Sequence, residues 1–125
     1  MKVFLLAIFL VGASAQQNGK STRYWDCCKP SCGWPGKPPF TAPVRTCAKN
    51  GVNVVDSNTP TSYTCNNNQP WAVNSTLSYG FAAANILGQS EWTWCCACYQ
   101  LTFTSGPVVG KKMIVQVTNT GGDLG

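Results

Sequence analysis

The chain contains no histidine and only four acidic residues, Asp26, Asp56, Glu91 and Asp123, among 125. Without histidine, much of the usual acid–base and metal-ligand repertoire is gone, and proton chemistry near neutral pH falls to carboxylates. Cations are also unclustered. The nine Lys and Arg give a formal net charge of +5, but they form no block, and a phosphate-tracking surface needs clustered charge. A membrane-active defence peptide would likewise set clustered cations opposite an apolar face, which is not seen. No apolar run is long enough to span a bilayer. Nucleic acid and membrane are therefore not the expected partners.

What is abundant is cysteine, with eight residues, alongside twelve Gly and eight Pro. The length suits one modest domain. Residues 1–15 read as a signal peptide: Lys2 supplies a positive start, Val3 to Val11 a short apolar core, and Ala13-Ser14-Ala15 a small-residue cleavage site. The mature chain is then expected to begin at Gln16 and to be secreted, extracellular and stapled by disulfides. A zinc site built from Cys27, Cys28, Cys32, Cys95, Cys96 and Cys98 is the competing reading, and adjacent Cys-Cys pairs and the export signal argue against it.

From Pro35 to Gln69 the chain is dense in turn formers, with a strand hint only at Val52 to Val55, and Cys47 with Cys65 is the natural staple of that region. Residues 75–87 predict a helix capped by Asn74 or Ser75, since Leu77, Phe81 and Ala84 share one helical face despite Gly80. Asn74-Ser75-Thr76 is also a glycosylation acceptor pattern. Alternation predicts strands over Tyr99 to Thr104 and Met113 to Thr118, with Met113, Val115 and Val117 on one face. Thr120-Gly121-Gly122 then forms a loop carrying Asp123. Trp71, Trp92 and Trp94 are expected to pack rather than bind.

The densest chemistry lies in residues 21–34, where Asp26 stands among Tyr24, Trp25, Trp34 and three cysteines. Flat aromatic faces suit pyranose rings, and cross-links hold an acid in place. Hydrolysis of a glycosidic bond commonly needs two carboxyl groups. Asp56 and Glu91 have the look of plain surface residues, which leaves Asp26 and Asp123 as the pair in unusual company. A lone Asp is ordinarily a turn residue paired with Arg23 or Lys29; here the surrounding motif favours a site.

The segment Ser21 to Trp34, together with Trp94-Cys95-Cys96-Ala97-Cys98-Tyr99 through Gly121-Gly122-Asp123-Leu124-Gly125, resembles glycoside hydrolase family 45, the inverting endo-β-1,4-glucanases. The resemblance implies a mainly β fold, a six-stranded double-psi β-barrel incomplete in this chain, with one short helix and long disulfide-stapled loops. Residues 16–125 would be the N-terminal portion of the catalytic domain. It also implies Asp26 as general base, Asp123 as an auxiliary carboxylate, and Thr22, Tyr24 and Trp34 as substrate-binding residues. The general acid would come from a Phe-Asp-Leu segment that follows Gly-Asp-Leu-Gly in the family and is not present here, so a truncated domain is expected. The same resemblance pairs Cys47 with Cys65 and Cys32 with Cys95, places the partners of Cys27, Cys96 and Cys98 in the absent part, and leaves Cys28 open. A monomer acting on β-1,4-glucan without metal or cofactor is implied. A non-catalytic wall-binding module of the expansin or barwin type shares the barrel and is the alternative.

Overall fold

A computed structural model describes residues 16–24, 26–37 and 42–122. The leader, Trp25, Pro38, Pro39 and Asp123 lie outside the described residues. In chain order the elements are a 3-10 turn (Ser31–Gly33), β1 (Thr46–Cys47), β2 (Val54–Val55), β3 (Trp71–Ala72), β4 (Leu77–Ala84), the one-turn α1 (Glu91–Trp94), β5 (Cys98–Thr102) and β6 (Lys112–Thr120). The fold is mainly β. β1 and β2 form an antiparallel ribbon, and the other four strands form an open sheet in the order β3-β4-β6-β5. Among the described residues the sheet does not close into a barrel.

The predicted strands near the C-terminal end form as expected. β5 pairs antiparallel with β6 from Cys98↔Gln116 to Thr102↔Lys112. Val115 and Val117 are buried, because an alternating apolar run pairs well only when its apolar side faces a core. The strand hint at Val52 to Val55 survives as Val54–Val55 alone.

The helix expected over 75–87 is not there: Leu77–Ala84 is a strand. It pairs parallel with β6 over its whole length, and its start pairs antiparallel with β3. A strand enclosed by two neighbours is part-buried at almost every position, so its pattern lacks the alternation that marks a strand with one wet face. The Ala82-Ala83-Ala84 run then imitates helix propensity. Asn74 imitates a helix cap for a related reason. Its Oδ1 accepts hydrogen bonds from Thr76 N–H (2.9 Å), Leu77 N–H (2.9 Å) and the Thr76 hydroxyl (3.0 Å). That side-chain-to-backbone chemistry closes the β3–β4 turn here instead of opening a helix.

The core is small and sits where the 3-10 turn, α1 and β6 meet. Cys32, Trp94, Cys95 and Val117 form it, with Val44, Ala84, Ile86 and Tyr99 packed around them. Of the tryptophans expected to pack, Trp94 does. Trp71 meets Tyr79 edge-on at 5.7 Å while remaining half exposed, and Trp92 is 61% exposed and outside the core. The Cys32–Cys95 disulfide runs through the core, and Cys47–Cys65 closes the turn-rich region. Cys27, Cys28, Cys96 and Cys98 remain thiols.

Candidate active site

Asp26 lies shortly before the 3-10 turn that Cys32 anchors in the core, so the acid-bearing segment is pinned six residues from its carboxylate. The side chain is exposed, yet both of its oxygens are engaged. Oδ1 accepts the Cys28 N–H at 2.9 Å, and Oδ2 accepts the Asn119 amide N–H at 3.0 Å, from the end of β6. The Cys28 side chain also hydrogen-bonds to this carboxylate, which offers about four acceptor positions in all.

Asn119 reaches this position through an irregularity in β6. The register against β4 runs Ala82↔Val117 and then Ala83↔Asn119, so Thr118 is an extra residue. Such a bulge re-aims the side chains that follow it. Consecutive residues of β4 point to opposite faces, and Asn119 is thereby turned off the face that carries Val115 and Val117.

A polar network continues from there. Asn119 Oδ1 accepts N–H donors from Ser31 (2.8 Å) and Thr120 (3.0 Å). The Ser31 and Thr120 hydroxyls are 3.2 Å apart, and Thr120 donates to Glu91 Oε1 at 2.8 Å. Glu91 completes the chain with an ion pair to Lys37. The Lys37 hydrogen bond, with smaller help from Ser31 and Thr120, holds the Glu91 carboxyl below the ordinary glutamate range against the opposing effect of burial. Glu91 is therefore not the plain surface residue its sequence neighbours suggest. Asn119, which sequence reasoning missed, meets Asp26, and Glu91 joins the same network through Thr120 and Ser31, because β6 and α1 converge on Ser31.

The expected aromatic platforms are exposed: Tyr24 at 46% and Trp34 at 38%. Trp34 carries the Lys29 ammonium 3.9 Å from its ring centre. The same ammonium donates to the Ser57 and Thr59 carbonyls. Lys29 is thus committed to Trp34 and the 57–59 turn rather than to Asp26. Thr22 is exposed on the same N-terminal stretch as Tyr24. Beside the site the Cys28 thiol is pushed up, first by its hydrogen bond with Cys27 and then by the neighbouring charges of Cys27 and Asp26. Burial raises the Cys96 thiol. Among the described residues no group of three or more His, Cys, Asp or Glu side chains is placed to hold a metal ion. Two concavities, about 160 Å³ beside Cys47–Cys65 and about 340 Å³ at the β3–β4 turn, lie away from Asp26.

An acid shortly before a disulfide-anchored turn, held by the end of an open β-sheet, defines a small cross-linked, mainly β domain. The model of Glycosyl hydrolase family 45 matches residues 18–125, and the chain belongs to that family. It is 52% identical over 133 residues to an endoglucanase of Cryptopygus antarcticus, covering 99% of this chain and 59% of that protein. An endoglucanase of Phaedon cochleariae is 49% identical over 115 residues, covering 86% of this chain and 47% of its own length. The crystal structure of the cellulase from the Antarctic springtail Cryptopygus antarcticus superposes with a TM-score of 0.76 at 57% identity, over 82% of this chain and 52% of the other. The chain thus spans about half the length of these relatives, and only 33% of a Fusarium oxysporum protein with which it is 58% identical.

Proposed function

We propose that residues 16–125 are the N-terminal portion of a secreted endo-β-1,4-glucanase catalytic domain that hydrolyses internal bonds of cellulose or a related glucan with inversion. In this reading Asp26 is the general base. It draws a proton from the water that attacks the anomeric carbon, on the face opposite the leaving oxygen. The observation that carries the assignment is the fixing of the exposed Asp26 carboxylate by the Cys28 N–H and the Asn119 amide. A base must hold its geometry through the reaction, and two donors at fixed angles define the carboxylate plane. Tyr24 and Trp34 act as stacking platforms for glucose rings, with Thr22 alongside, and Asp123 is an auxiliary carboxylate.

Inversion requires a second carboxyl group roughly 6.5–9.5 Å from the base, leaving room for one water between them. That general acid is expected from sequence following Gly-Asp-Leu-Gly, and the length of the relatives supports a larger catalytic domain. Export rests on the leader-like residues 1–15 and on the two disulfides, which suit an oxidising compartment.

The test is reducing-end release from a soluble β-1,4-glucan by the protein expressed from its complete reading frame, beside the same protein carrying Asp26→Asn. The expected loss is about 100-fold or more, the scale of general-base removal. The first-formed product should be the α-anomer, as read by proton NMR. Equal release by the two proteins would remove Asp26 from the role of base. Folded, glucan-binding but inactive parent protein would favour a binding module.

A further inference from the structure

We propose that Asn119 is a positioning residue for the Asp26 carboxylate, acting through the single amide N–H that it donates to Oδ2. The proposal rests on the reading of Asp26 as the base and assigns the group that aims it.

The direction of the Asn119 amide follows from its partners. Its oxygen accepts two backbone N–H groups, from Ser31 at 2.8 Å and Thr120 at 3.0 Å. Neither donor can accept in return, so the NH₂ end must face Asp26, 3.0 Å away. Asn119 can therefore only donate to the carboxylate, which keeps Oδ2 an acceptor. The residue is itself rigidly held. The bulge at Thr118 sets its direction, and the Ser31 N–H ties it to the turn that Cys32 anchors. Thr120 next to it is braced by Ser31 and Glu91.

Asp26, by contrast, is exposed, and its carboxylate is otherwise met by Cys28 two residues away, through its N–H and its side chain. Both contacts come from the same short segment as the acid and tie it to nothing beyond that segment. The contact from β6 couples the acid to the sheet. Misplacement of a reacting group by about 1 Å can cost on the order of a hundredfold in rate. Among the described residues, the charged and titratable groups near this pair include the Cys27 and Cys28 thiols on the Asp26 segment, and Glu91 with Lys37 beyond Thr120.

The experiment is a double-mutant cycle on kcat in the protein from its complete reading frame. Asn119→Ala is expected to lower kcat about tenfold or more, with KM for a soluble glucan changed less than about twofold. Asn119→Asp keeps an oxygen for Ser31 and Thr120 but turns an acceptor toward Asp26. It should fold, as judged by circular dichroism and melting, and lose kcat to a similar extent. In the Asp26→Asn background, Asn119→Ala should add no further loss, because a residue that works through Asp26 has nothing left to position. Multiplicative losses in the cycle would show an independent structural role and overturn the proposal, as would parent-like kcat in both Asn119 variants. Parent-like activity of Asp26→Asn is a separate result, which removes the base assignment itself.

Discussion

Glu91 shows how one residue acquires a role from neighbours distant in sequence. Lys37 lies 54 positions away and Thr120 lies 29, yet both meet its carboxylate. Because its folded-state value is depressed, Glu91 contributes stability above the ordinary glutamate value of about 4.3, and this is lost as pH falls through the lower folded value. Asp56 is depressed as well, first by the Asn58 N–H that it accepts and then by the Asn58 side chain. The chain should therefore unfold at lower urea concentration at pH 3 than at pH 6. In Glu91→Gln that gap should narrow without closing, since Asp56 remains. An unchanged gap would mean that the Lys37–Glu91 pair contributes nothing to acid sensitivity.

At the scale of elements, β4 is the instructive case. Gly80 is tolerated poorly in a helix, where Ala would be better by about 1 kcal/mol. In the strand the reason for glycine is contact. A Cβ at this position would lie 2.4 Å from Met113 Cε on β6 and 3.3 Å from Pro70 Cβ. Met113 can move its tip aside, but Pro70 cannot follow, so Gly80→Ala should destabilise by about 1 kcal/mol or more through overpacking. The sign separates the two structures, because a helix would gain from the same substitution. Thermal unfolding of the variant beside the parent measures it. The Thr118 bulge belongs to the same scale: one extra residue in β6 moves Asn119 from the core-facing side to Asp26.

For the whole molecule, cross-links matter because the core is small and the sheet is open. The disulfides close spans of 63 and 18 residues, the shorter nested within the longer. Loop-closure entropy gives about 4 kcal/mol for the longer link and about 3 kcal/mol for the shorter. Replacing Cys32 and Cys95 by Ala should therefore cost more than replacing Cys47 and Cys65, and by more than this entropy alone, since Cys32 and Cys95 also fill the core. Urea midpoints of the two double variants decide the order. The reverse order would place the stability of the domain in the turn-rich region.

Much of this architecture is legible in the amino-acid sequence. The Cys47–Cys65 link and the β5 and β6 strands come from local chemistry, cysteine spacing and alternation, each readable within a short window, and an acid among aromatics is what singles out Asp26 as a candidate. Tertiary structure alone decided that 77–84 is a strand, because its partners in β3 and β6 override the helical spacing of Leu77, Phe81 and Ala84. It also decided that Asn119, 93 positions from Asp26, orients the acid, and that Glu91 braces the strand end beside it. Those contacts depend on a register shift and on the meeting of β6 with the Cys32-anchored turn. Both are properties of paired strands and packed elements, and no stretch of neighbouring residues carries them.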